Sequence, residues 1–156
     1  MCYIEVGYHN FCSGRFPLPA EKQIDDLEQR LGIHLPPEYR QFLLEYNGGI
    51  FAEPDIVPPS QDCPLDRLRF LCGIGASHPI AELASPEGLP PEIFDGNDPP
   101  IILPIGYTLM GNMLLLVTSD EGFGCIVMKQ AFTDNSFFLA KGIVDFFGLL
   151  REPMCD

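Results

Sequence analysis

Basic residues are scarce in this chain. Nine Lys and Arg stand against 22 Asp and Glu, a net charge of −13 over 156 residues. From Phe70 to Met128 there is no Lys or Arg at all. Nucleic-acid binding needs cations set against phosphates, so that class of partner is excluded. Long apolar runs are also missing, and none reaches the length of a membrane helix. The opening MCYIEVGYHNFC has neither a basic start nor an uninterrupted apolar stretch. No signal peptide is expected, and the chain is expected to be cytoplasmic.

Signatures of bound metals and of catalysis are equally thin. The six cysteines (Cys2, Cys12, Cys63, Cys72, Cys125, Cys155) include no C-x-x-C pair, and His9, His34 and His78 do not space as zinc ligands. Free thiols in a reducing compartment are expected, with no disulfide and no metal. There is no G-x-S-x-G elbow and no P-loop. Gly73-Ile74-Gly75 lacks the third glycine of a dinucleotide fingerprint, and Asp95-Gly96-Asn97-Asp98 lacks the alternating ligands and closing Glu of a calcium loop. His78, before Pro79, reads as a surface residue. Asp25-Asp26 and Asp120-Glu121 read as a helix start and a turn. No catalytic residue and no cofactor are expected, and the chain is not expected to be an enzyme.

What is present is enough for one domain over residues 1–156, with 46% apolar residues to supply a core. Residues 1–17 are either an N-terminal extension or an edge strand, because residues 3–8 alternate weakly. A helix is expected over residues 20–31, with Ile24, Leu27 and Leu31 on its inner face and Gly32 as its stop. A second helix follows the Pro36-Pro37 corner, where Pro37 suits the first turn. Tyr39, Phe42, Leu43 and Tyr46 recur at helical spacing, Glu38 lies among the polar positions, and Asn47-Gly48-Gly49 ends the helix through left-handed backbone. A proline-rich loop is expected from Phe51, then strands over 66–72, 101–106, 113–118, 124–130 and 137–140. The strand around Pro104 is placed at a sheet edge. One short helix is expected after Pro79, and residues 142–150 close the chain as a helix. The order of helices, antiparallel strands and helix gives an α+β fold: an N-terminal helix pair and a C-terminal helix packed on a curved, mostly antiparallel sheet.

The stretch LPPEYRQFLLEYNGG, Leu35 to Gly49, resembles the signature of the SUKH superfamily. That superfamily includes fungal cell-wall-assembly regulators and many bacterial toxin-immunity proteins. Ile24, Asp26, Leu27, Glu28, Leu31, Gly32 and Ile33 resemble its first helix, and Leu103–Gly106, Gly111-Asn112 and residues 138–150 are looser matches. The family commonly sets an acidic residue and Ser before the last helix; Lys141-Gly142 stand here instead, leaving that helix without a side-chain N-cap.

The resemblance implies a non-enzymatic binding protein of the immunity type. Its expected partner is a basic protein toxin, often a nuclease in this superfamily, whose active site it would cover. The alternative is a regulatory scaffold binding a cellular protein. The carboxylates of the Lys/Arg-free span are either a solvated surface or the docking face: Glu82, Glu87, Glu92, Asp95, Asp98, Asp120 and Glu121, with Leu89, Ile93 and Phe94 as apolar anchors.

Overall fold

The structure is a computed structural model that describes residues 3–77, 80–84 and 98–154, with the backbone alone at Tyr3. The expected helix after Pro79, together with Cys2, His78, Glu87, Leu89, Glu92, Ile93, Phe94, Asp95 and Cys155, lies outside the described residues.

The elements run α1 (Tyr3–Phe11), β1 (Cys12–Gly14), α2 (Glu21–Leu31), α3 (Pro37–Glu45), β2 (Gly49–Phe51), β3 (Asp55–Ile56), β4 (Asp66–Leu71), β5 (Ile102–Thr108), β6 (Met113–Val117), β7 (Ile126–Lys129), β8 (Ser136–Ala140), α4 (Ile143–Phe147) and β9 (Leu150–Arg151). The sheet is open and antiparallel in the order β1-β2-β4-β5-β6-β7-β8, and β3 bridges β4 to β9 beside it. The fold is α+β. Core residues Leu114, Leu116, Ile126 and Met128 alternate along β6 and β7, and they join Ile24, Leu31, Tyr39, Phe42, Phe146 and Phe147 from the helices in one cluster.

Four expectations change. Residues 3–8 form the start of a helix, not an edge strand. Ile4 and Tyr8 share one buried face, and Gly7 lets α1 approach the Phe147 ring more closely than a Cβ would allow. The β-branched and aromatic residues there favour a strand by propensity, but packing on α4 decides. The edge strand comes later, as β1.

The proline-rich stretch beginning at Phe51 is not all loop, because Gly49–Phe51 and Asp55–Ile56 both pair with β4. Pro104 does not mark an edge: β5 lies between β4 and β6. Its missing N–H is tolerated because the β4 pairs reach only to Gly106 and the β6 register slips between Pro104 and Gly106. The closing helix is also short. It ends at Phe147, and Leu150–Arg151 leaves to pair with β3.

A register shift between Leu68 and Phe70 interrupts β4. Leu68 and Leu71 are buried while Phe70 is half-exposed and packs on Tyr107, ring centroids 5.3 Å apart.

Candidate functional site

The signature residues build the scaffold. Pro36 and Pro37 open α3, and Tyr39 and Phe42 are buried beneath it. Asn47, Gly48 and Gly49 all have positive φ, at 56°, 75° and 144°. Asn47 is fully buried. Its Nδ2 donates to the carbonyls of Pro17 (2.7 Å) and Ile74 (2.8 Å), and its Oδ1 accepts from the Ile74 N–H (2.9 Å). The Tyr8 hydroxyl donates to the carbonyls of Gly48 and Tyr46. A Cβ on Gly48 would overlap the carbonyl oxygens of Leu71 and Cys72. The signature thus ties α1, α3 and the end of β4 together.

Several described carboxylates are committed. Arg40 forks between Glu28 Oε1 (2.6 Å) and Asp25 Oδ1 (2.7 Å). Lys22 pairs with Asp26, Arg67 with Asp55, and Lys141 with Asp145. Asp66 is buried and takes four donors: the Arg67 and Met110 N–H groups on Oδ1, and Thr108 Oγ1 and Asn112 Nδ2 on Oδ2. This arrangement holds a turn and leaves no lone pair for catalysis. Glu82, one of the sequence-predicted site residues, is half-buried and accepts the Gly75 N–H at 2.7 Å, closing its own loop.

Asp98, Asp120 and Glu121 are uncommitted, as are Glu5, Glu21, Asp62 and Asp134. The first three are exposed, and none has an ion-pair partner among the described residues. Asp120 lines a cleft of about 770 Å³ between the α2–α3 corner and the connections flanking β5 and β6. Gly32, Ile33 and His34 form one wall, and Pro99, Pro100, Ile101, Thr118, Ser119 and Phe123 the rest. Asp98 adjoins Pro99, and Glu121 follows Asp120. Three hydrogen bonds fix the wall: Thr118 Oγ1 to the Pro100 carbonyl (2.7 Å), and the Thr118 and Ser119 N–H groups to the Ile101 carbonyl (2.8 and 3.2 Å). Ile101 is 64% exposed and Phe123 41%. The cleft therefore combines apolar contacts with one unpaired carboxylate, that of Asp120.

Residues 18–148 match the model of the SMI1 / KNR4 family (SUKH-1). The chain belongs to this family. No curated protein and no solved structure matches it. SUKH-1 membership accounts for the placement of the signature inside the fold and makes a protein partner the relevant ligand class. No helix among the described residues is long and apolar enough to cross a membrane, and no three metal-ligating side chains are grouped there. Cys12, Cys63, Cys72 and Cys125 are free thiols; burial pushes that of Cys72 up to about 12.

Sequence reasoning missed Ile101 and Phe123 as exposed residues lining the cleft. Phe123 carried a signal, being a large aromatic inside the glycine-rich turn Gly122–Gly124. Ile101 carried none, because an apolar residue at a strand start reads as core.

Proposed function

We propose that the chain is an immunity-type binding protein that neutralises a basic protein toxin, a nuclease, by occluding its cationic active-site groove. Family membership supports a protein partner. The observation that carries the reading is Asp120 within the Ile101–Phe123 cleft, with the exposed Asp98 and Glu121 next to its lining residues in the chain and none of the three ion-paired among the described residues. A nuclease groove is positive because it holds phosphates. Fixed carboxylates answer that field and steer association, while desolvated apolar contacts slow release. The proposed face extends to Glu87, Glu92, Ile93, Phe94 and Asp95 of the same Lys/Arg-free span. No step of this action is chemical, so the protein acts without catalysis.

The test replaces Asp98 and Asp120 with Asn and Glu121 with Gln, and follows binding to the product of the neighbouring toxin gene across salt concentration. Association should slow about 10-fold or more at low salt, with a smaller change in dissociation, and protection of toxin-expressing cells should fall. Asp62 and Asp134, both exposed, are the control pair. Asp25 and Glu28 are unsuitable because their loss breaks the Arg40 fork. Equal effects of the two sets would reduce the site to overall charge, and wild-type kinetics in the triple variant would reject this face. Absence of a neighbouring toxin gene would favour a cellular protein partner.

A further inference from the structure

Arg69 stands apart from the other cations. Of the nine Lys and Arg, it alone has no hydrogen bond, ion pair or ring contact among the described residues. Arg15 lies over the Tyr8 ring, Arg30 donates to the Ala84 carbonyl, Lys129 to that of Thr133 and Arg151 to that of Gly148. Lys22, Arg40, Arg67 and Lys141 hold carboxylates. The chain has 22 Asp and Glu, so Arg69 is not unpaired for want of partners.

The fold aims this side chain. Leu68 pairs with Thr108 and Phe70 with Tyr107, which leaves Arg69 as the extra residue of a bulge. A bulge re-aims the side chain it carries. Leu68 and Leu71 turn into the core, whereas Arg69 and Phe70 both line an outer pocket of about 380 Å³ with Ile50, Ile80 and Ala81. Ile50 and Ile80 are 45% and 58% exposed. The wall carrying Ile80 is tied to the end of β4. The Cys72 thiol meets the Ile80 carbonyl at 3.8 Å, the Gly73 N–H donates to the Ala81 carbonyl at 2.9 Å, and the Leu83 N–H donates to the Gly73 carbonyl at 2.9 Å. The pocket is thus preorganised. Beyond it, Tyr107 lies opposite Phe70, Met113 opposite Tyr107 and Lys129 opposite Met113, and directly opposed residues share a face. Tyr107 and Met113 are half-exposed, and this row holds no carboxylate.

These features select an occupant. Covering the pocket strips water from Arg69, and a desolvated guanidinium without an acceptor is costly. A neutral apolar surface is thereby disfavoured, and a basic one is repelled by Arg69 and Lys129. The match is a carboxylate beside an apolar side chain: the carboxylate meets the guanidinium fork while the apolar group rests on Ile50, Phe70 and Ile80. The row beyond the pocket is longer than one side chain, which fits a chain segment rather than a small free acid. We propose that this pocket docks an acidic, apolar segment of a partner protein, on a surface whose charge preference is opposite to that of the Asp120 cleft.

The probe is a short synthetic peptide, blocked at both ends, in which one Asp adjoins Leu-Phe and every other residue is uncharged and polar. It is titrated into the full chain labelled at isoleucine methyls. Ile50 and Ile80 should shift, and buried Ile24 and Ile126 should not. Arg69→Gln should weaken binding about 10-fold or more with unchanged melting temperature. Asn in place of the peptide's Asp should do the same, and the two changes together should add little to either alone. The triple variant of Asp98, Asp120 and Glu121 should bind the peptide no more weakly than wild type, so failure of the toxin reading leaves this one standing. Absence of isoleucine shifts, equal binding of the Asp and Asn peptides, or additive losses would overturn the proposal. So would N-acetyl-leucine binding as tightly as the peptide, which would assign the pocket to a small carboxylate. A mass that doubles with protein concentration and reverts in Arg69→Gln would overturn it too, by assigning the pocket to a second copy.

Discussion

At the scale of single residues, crowding and backbone sign are separable. Gly48 and Gly75 have nearly the same φ, 75° and 70°, but a Cβ on Gly48 meets the Leu71 and Cys72 carbonyls while one on Gly75 meets nothing within 4 Å. Gly75→Ala should therefore cost about 1 kcal/mol, the left-handed penalty alone. Gly48→Ala should cost about 2–4 kcal/mol, because steric displacement adds to it. Urea denaturation of the pair checks this, and equal losses would show that the β4 end yields freely. Tyr39 poses the opposite case. Its hydroxyl is buried with no hydrogen-bond partner among the described residues, and burial holds its pKa well above the ordinary value. Tyr39→Phe should raise stability by about 1 kcal/mol in the same measurement. A loss would mean that the hydroxyl has a partner in solution. The buried face of α3 was legible from its spacing. The unpartnered hydroxyl was not, since sequence shows which residues turn inward but not what meets them.

At the scale of elements, α4 takes its cap from another helix. Gly142 offers no side chain, and Glu38 Oε1 of α3 accepts the Val144 N–H at 3.0 Å. A Cβ on Gly142 would lie 2.5 Å from that same oxygen. The departure from the family pattern at Lys141-Gly142 is thus coupled to the use made of Glu38. Glu38→Ala should destabilise by about 1 kcal/mol, Gly142→Ser alone should also destabilise, and the double variant should recover much of the loss through a local serine cap. Additive losses in thermal denaturation would refute the coupling. The sequence showed the missing cap, but a replacement from a residue so distant along the chain depends on packing. The same limit applied to α1, where Ile4 and Tyr8 fit both periods, and to β4, where a bulge moved Leu71 inward. Positions of α2 and α3 were legible because one period dominated each, and β6 because it is apolar nearly throughout. Of the candidate site, Asp98, Asp120 and Glu121 were legible as charge without counter-charge; the cleft beside them required the fold.

At the scale of the molecule, a net charge of −13 opposes compaction through self-repulsion. Raising sodium chloride from about 0.01 to 0.5 M shortens the Debye length from about 30 Å to a few ångströms and should raise the melting temperature. A fall would mean that the Arg40 fork and the Arg67–Asp55 pair outweigh the unpaired carboxylates.

The short ladder between Asp55–Ile56 and Leu150–Arg151 carries a consequence for synthesis. A ribosome must release Arg151 before β3 has both its neighbours. Until then β3 offers one open flank to whatever strand is near, including that of another nascent chain. Native pairing there can form only after every other strand of the sheet has been made.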